Sequence, residues 1–394
     1  MDDDSAPESE DIDDLYEWIV DHHSRWRETK DEIKNELLGE ARGSEDEVTP
    51  RIRNAIDREK NHDELLQSTI SVFDPRGRVC EQTGWRVLTS EPLVEMGVPN
   101  ADALIGHLEK DWAILVECKT GLTKPGVALE QIFDAAEEVR ENRDYLNEKT
   151  GLEIENIDCV LCVPSEIDWR AADTIEDYER QGEDREQVYV WRLNRFTGEV
   201  LQLYENIETR EGSESSHNHG LTNLLSGDGI RIGGESEVTP EFFPSSHLAN
   251  IIQAAFSDVL WERERAEDPV TKFTRQELTE ALTSQNNLLH YSADSIGQRI
   301  RDEMIPRLLD YGLIDPYENE TPTEELLADE GWRDITIFEY GVEGRTTETV
   351  LANLVEDYFD SEVEEMAEEM ARERTVERFQ DESGSFDGFF EDEE

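Results

Sequence analysis

Two apolar runs separated by a few polar residues constrain the fold more than any other feature of the chain. Ala101–Leu108 and Trp112–Lys119 are each of strand length, bounded by turn residues and joined through Glu109 and Lys110. They read as neighbouring antiparallel strands. Because successive side chains on a strand point to opposite faces, Glu117 and Lys119 share one face. A two-residue Glu109-Lys110 turn pairs residues whose numbers sum to 219, which sets Asp102 opposite Glu117. A four-residue turn in the same register keeps that pairing, whereas a three-residue turn puts Asp102 beside Cys118 on the wrong side. The pattern therefore predicts an even loop or a compensating bulge.

The segments around this pair suggest an α/β domain. Residues 1–48 form an acidic segment with one amphipathic helical stretch, Leu15–Leu38. Thr49-Pro50 then opens a helix with Ile52, Ile56, Leu65, Leu66, Ile70 and Phe73 at apolar spacing, and Asp74-Pro75-Arg76-Gly77 ends it. Trp85–Leu88 reads as a further strand, Val127–Tyr145 as an amphipathic helix and Ile157–Val163 as a buried strand. Val188–Leu193 and Val200–Tyr204 form a hairpin turning at Thr197-Gly198. The order predicts a mixed sheet flanked by helices over residues 49–208. Residues 209–240, rich in Gly, Ser, Glu and Asn, have the composition of a flexible linker. A second, α-helical domain is expected over 241–345, with helices at Leu248–Trp261, from Thr274, and at Ser292–Tyr311, and a strand within Trp332–Tyr340. Residues 346–394 read as an acidic helix and a disordered tail beginning near Asp381.

The chemistry concentrates in Pro99-Asn100-Ala101-Asp102 and Glu117-Cys118-Lys119. Cleaving a phosphodiester calls for carboxylates to hold a hard divalent cation and for a positive group near the attacked phosphorus. One Asp, one Glu and one Lys on a single sheet face can provide both. These residues resemble the PD-(D/E)XK nuclease superfamily, with a restriction endonuclease-like fold, over roughly Asn61–Tyr204. The resemblance implies that Asp102, Glu117 and the main-chain carbonyl of Cys118 bind Mg²⁺ or Mn²⁺ and that Lys119 orients or activates water. It also suggests Gln131 from the following helix, and Glu64 or Glu81 from the first helical region, as helpers. The sequence departs from the pattern in that Asn100 and Ala101 separate Pro99 from the aspartate. Phe273–Ile314 resembles a winged helix-turn-helix, with Ser295–Leu309 as a recognition helix carrying Arg299, Arg301 and Arg307. The expected partners are therefore DNA, a second copy of the chain if both strands are cut, and a protein that targets the nuclease.

Net charge bears on the DNA reading. With 97 Asp and Glu against 37 Lys and Arg, the formal charge is −60, spread along the whole chain. That composition resembles proteins of salt-accumulating haloarchaea. At about 1 M salt the Debye length is roughly 3 Å, so this charge repels a polyanion far less than in dilute buffer. DNA is not excluded. The basic residues are 29 Arg and only eight Lys, so a lysine kept at position 119 calls for a chemical reason. An ordinary ion pair at a strand end would be served as well by arginine.

Other features carry less. Cys159 and Cys162 stand three apart on a strand and so face opposite ways, without a second pair at zinc spacing. They read as buried apolar residues, and disulfides are not expected. His217 and His219 fall in the linker, and His107 falls on the face away from Asp102. No Walker A loop is present, and no apolar run approaches the roughly 18 residues of a membrane span. The acidic start lacks the features of a signal peptide, so a cytoplasmic protein without a membrane partner is expected. Two rival readings are a DNA-binding regulator using a degenerate nuclease fold as scaffold, and an adaptor protein whose charge is purely halophilic.

Overall fold

In the computed structural model the apolar segments pair into one seven-stranded mixed sheet. Helices α1 (Ile12–His22), α2 (Arg25–Gly43), α3 (Glu45–Ser71) and α4 (Arg78–Thr83) precede it. Its strands are β1 (Trp85–Ser90), β2 (Ala103–His107), β3 (Trp112–Cys118), β4 (Asn156–Pro164), β5 (Val188–Asn194), β6 (Val200–Leu203) and β7 (Ile230–Arg231), side by side in chain order. Strands β1 to β3 are antiparallel, β3 to β5 parallel, and β5 to β7 antiparallel again. Parallel neighbours require a crossover. Helices α5 (Pro125–Glu141) and α6 (Arg143–Thr150) make the first, and α7 (Asp168–Arg180), not anticipated from the sequence, makes the second. The structure describes residues 12–180, 188–195, 200–204, 220–232, 243–254, 272–274, 278–279, 282, 292–316, 337–340 and 346–383.

Both faces of the sheet are covered, which is why β3 and β4 are apolar almost throughout. Leu104, Leu115, Cys159 and Leu161 pack with Leu129, Ile132 and Ala136 of α5 and Ile175 of α7. On the other face Ile105, Ile114, Val116 and Cys162 pack with Leu65, Leu66 and Ile70 of α3. Cys159 and Cys162 thus fall in different layers, and all four cysteines are buried thiols outside any disulfide. Phe73 stacks on Trp191 with ring centroids 5.3 Å apart. Burying each such ring stabilises the fold by about 3 kcal/mol.

Gly84 ends α4 in the left-handed conformation, with φ +81°. A Cβ there would lie 2.9 Å from Cε1 of His107, whose ring packs edge-on against Trp85. Gly84→Ala is therefore expected to cost about 1–2 kcal/mol in urea unfolding, from the left-handed backbone alone. An unchanged midpoint would contradict this account of the turn.

Residues 220–232, expected as flexible linker, instead extend the sheet. Helix α8 (Leu221–Leu225) buries Leu221 and Leu225 in the layer that holds Trp191, and β7 pairs with β6. The remainder of 209–240 lies outside the described residues, as do the Thr197-Gly198 turn, His217, His219 and residues 384–394. Further along come α9 (Leu248–Ala254), β8 (Lys272–Thr274), α10 (Ser292–Arg299), α11 (Ile305–Asp310), β9 (Ile314–Pro316) and β10 (Ile337–Tyr340). One π-helical stretch, Ile300–Met304, joins α10 to α11. It ends two residues before Pro306, which has no N–H to donate to a carbonyl of the preceding turn. Strands β8, β10 and β9 form a small antiparallel sheet in that order, so the predicted strand near Tyr340 is present.

By its contacts the chain divides into two compact units, Arg58–Thr347 and a second made of Met1–Asp57 with Glu348–Glu394. The sequence had suggested a different division, with residues 49–208 and 241–345 as separate domains and the acidic segments 1–48 and 346–394 apart from one another. In the second unit, α12 (Thr346–Ser383) brings Val376 and Phe379 against Tyr16, Ile19 and Trp26. Its acids are not simply solvated. Glu368 pairs with Lys30 and Lys34, Glu362 with Arg51 at 2.6 Å, and Asp360 with Arg42 at 2.7 Å. Among the described residues no helix is long and apolar enough to cross a membrane.

Candidate active site

Three neighbouring strand ends meet where β1 and β3 finish and β2 begins. The β2–β3 register pairs Ala103 with Val116 and Ile105 with Ile114. These sums continue to Asp102 opposite Glu117, and the connection is a four-residue loop, 108–111. The even-loop expectation is met. Asp102 sits one residue before β2, where its carboxylate can turn back on the ladder, and Oδ2 accepts the Cys118 N–H at 2.6 Å. Asn100 closes the preceding loop by accepting the Leu93 N–H on Oδ1 at 3.0 Å. That contact gives the residues between Pro99 and Asp102 a structural use.

Glu117 is 5% exposed, and its Oε1 lies 2.6 Å from Nζ of Lys119. Its second oxygen, Oε2, is buried with no hydrogen-bond partner. Burial, and then the nearby charge of Asp102, push the Glu117 carboxyl up to about 7 against the pull of Lys119. For Lys119 burial works to lower the pKa, but Glu117 and Asp102 outweigh it and the net shift is upward. The lysine is charged at neutral pH.

The helix-borne contribution differs from the one expected. Glu64 is turned toward Arg195, 3.9 Å away, and Glu81 is exposed on α4. The neighbouring residues of α3 reach the site instead. His62 Nε2 lies 3.1 Å from Asp102 Oδ2, and its Nδ1 lies 3.9 Å from Oδ1 of Asp63. Burial disfavours the imidazolium, yet Asp102 and then Asp63 override it and raise its pKa to about 11. Nothing in the string His62-Asp63 marks it. The usable signal is helical phase, because Leu65, Leu66 and Ile70 define the buried stripe of α3 and His62 precedes Leu66 by four residues.

A fourth acid joins from β1. An extra residue at Leu88 breaks the β1–β2 register, and beyond it Glu91 N–H donates to the Asp102 carbonyl at 2.9 Å. Glu91 holds φ +45°, an uncommon value for a side-chain-bearing residue and more so before a proline. It is 5% exposed, and burial lifts its carboxyl to about 7, although Ser245 donates to it. Gln131 is exposed on α5 and takes no part in these hydrogen bonds. His107 is buried against Trp85, away from the cluster, where it accepts the Glu109 N–H.

Four acids, Asp63, Glu91, Asp102 and Glu117, thus stand against two cations, His62 and Lys119. Among the described residues no group of three or more His, Cys, Asp or Glu side chains is disposed to hold a metal ion. Mg²⁺ commonly takes only one or two carboxylates and fills its shell with water and substrate oxygens. The unpartnered Glu117 Oε2 beside the Asp102 charge suits such an ion. No protein-family model, curated protein or solved structure matches the chain.

The arginines assigned to DNA behave unevenly. Arg299 turns inward, where its Nη1 donates to the carbonyls of Pro244 at 2.5 Å and Ser246 at 2.6 Å. Arg301 pairs with its neighbour Asp302 at 2.7 Å, and Arg307 is half-buried. Reading of DNA by this helix would not use Arg299.

Proposed function

We propose that the chain is a divalent-cation-dependent nuclease that hydrolyses DNA phosphodiester bonds, on the restriction endonuclease-like plan of the PD-(D/E)XK superfamily. The observation that carries this reading is the meeting of Asp102, Glu117 and Lys119 at one strand end, with Glu117 Oε2 buried and unpartnered. Asp102, Glu117 and the carbonyl of Cys118 would hold Mg²⁺ or Mn²⁺. The ion would supply Lewis-acid polarisation of a phosphoryl oxygen. The protein's own groups do the remaining work. Lys119 offers three N–H donors, one of them committed to Glu117. The others can orient a water for attack and meet the negative charge that grows on the phosphate oxygens. His62 and the Cys118 N–H both hold Oδ2 of Asp102, which fixes the carboxylate's rotation.

DNA is preferred to RNA because the order β8–β10–β9 around α10 and α11 supports a winged-helix-like module. The test is to incubate the protein in multimolar KCl with labelled single-stranded, double-stranded and branched DNA, with Mg²⁺ or Mn²⁺ and with EDTA. Cleavage that EDTA stops is the expected result. Binding to DNA without cleavage of any substrate would favour a non-catalytic DNA-binding scaffold. Neither binding nor cleavage would remove DNA from the reading and favour an adaptor.

A further inference from the structure

The segment Phe243–Ala254, which contains α9, touches the acid cluster at two separate places. Ser245 donates to Glu91 Oε1 from its N–H at 3.0 Å and from its hydroxyl at 2.5 Å. Five residues on, Asn250 Nδ2 donates to Asp63 Oδ2 at 2.7 Å. Both routes lead to Asp102. Glu91 reaches it through the main chain, its N–H on the Asp102 carbonyl, and Asp63 reaches it through the His62 ring on Asp102 Oδ2.

The segment is itself fixed at both ends. Phe243 is 1% exposed within the sheet's apolar layer, and its N–H donates to the hydroxyl of Ser246, which is fully buried. From α10, Arg299 grips the carbonyls of Pro244 and Ser246, which flank Ser245, through one nitrogen. A guanidinium holding the carbonyls on either side of Ser245 restrains the turn that aims it. Beyond it, Ile251 and Ile252 are fully buried.

We propose that Phe243–Ala254 is a strap, locked by Arg299, that sets the position of Asp102 through Ser245 and Asn250. Asn250, Ser245 and Arg299 are then positioning residues, and α10 belongs to the working site rather than to a separate targeting module. This rests on the nuclease reading for its chemistry but not for its geometry. The strap is therefore tested twice.

In the metal-free protein, the His62 ring resonances are followed by NMR in the wild type, Asn250→Ala, Arg299→Ala and Arg299→Lys. The expected result is a shift of the His62 signals in Asn250→Ala, a smaller shift of the same kind in Arg299→Ala, and a return toward wild type in Arg299→Lys. Unmoved His62 signals in Asn250→Ala would overturn the strap, whatever the protein's activity. Mn²⁺ binding and DNA cleavage are then measured on the same variants. Asn250→Ala is expected to weaken Mn²⁺ binding about tenfold and to lower kcat at an unchanged KM for DNA, as loss of a supporting partner does. A rise in KM with kcat unchanged would overturn the positioning role. A wild type that binds no Mn²⁺ and cuts no DNA would overturn the nuclease reading alone, with the His62 signals still deciding the strap. Ser245→Ala, which keeps the main-chain N–H, serves if Arg299→Ala fails to fold.

Discussion

Lys119→Ala is expected to lower metal-dependent cleavage of DNA by about 10²–10³-fold, the usual effect of removing one preorganised donor from a developing anion. Two consequences of the change add together. The ammonium is lost from the face where Asp102 and Glu117 meet, and Glu117 Oε1 loses its partner at 2.6 Å while Oε2 already has none. A buried carboxylate stripped of its remaining partner takes up a proton more readily, so metal affinity should also fall. Lys119→Arg separates this account from that of an ordinary ion pair. A strand-end pair would accept arginine without loss, because the planar fork binds carboxylates well. A site lysine supplies a compact charge with rotatable donors, and arginine should restore less than a tenth of the activity. Single-turnover cleavage by wild type and both variants in the same KCl decides it, and full activity in Lys119→Arg would sink the catalytic assignment.

The second large effect concerns pH. Folded Glu91 keeps its proton up to about 7, against 4.5 for its unperturbed carboxyl. Between those values the native state binds more protons than the unfolded state, so stability declines as pH rises through the window. Below about pH 4.5 both states are protonated and the loss is absent; just above pH 7 it is complete. A shift of this size corresponds to roughly 3 kcal/mol. Glu91→Gln retains an acceptor for Ser245 and cannot ionise. Its stability relative to wild type should therefore grow by about that amount between pH 4.5 and 7.5, in denaturant titrations at constant KCl. The difference between the two proteins cancels the many surface acids. A pH-independent difference would show that Glu91 ionises normally in the fold.

The hairpin and the placing of Asp102 opposite Glu117 were legible because strand alternation and a short loop leave few registers, and only even ones bring the two together. The same reasoning placed Cys159 and Cys162 in opposite layers, and helix α5 and strand β4 followed from their apolar patterns, whereas α7 did not. What stayed hidden depended on distant packing. His62 and Asp63 reach the site because of how α3 lies on the sheet, whereas Glu64, one residue further, points to Arg195. A helix turns by about 100° per residue, so a guess off by one misses the site. Glu91 was invisible because a bulge two strands away from Lys119, together with a positive φ before Pro92, aims it inward. Leu221–Leu225 was masked by the Gly, Ser and Glu around it, since five residues are too few to show a period. The partners of helix α12 stayed hidden because they lie far off in sequence.

That distance has a consequence for how the protein is made. Arg51 and Glu362 are separated by 311 residues, and synthesis runs at about 5–20 residues per second. The N-terminal helices therefore wait roughly 15–60 s on the ribosome before the helix whose acids pair with Lys30, Lys34, Arg42 and Arg51 emerges. During that interval Trp26 and Ile19 lack their partners Val376 and Phe379. The sheet, complete by Arg231, can form first. A pulse-chase with limited proteolysis should find the sheet protected in nascent chains while the first helices are still cut.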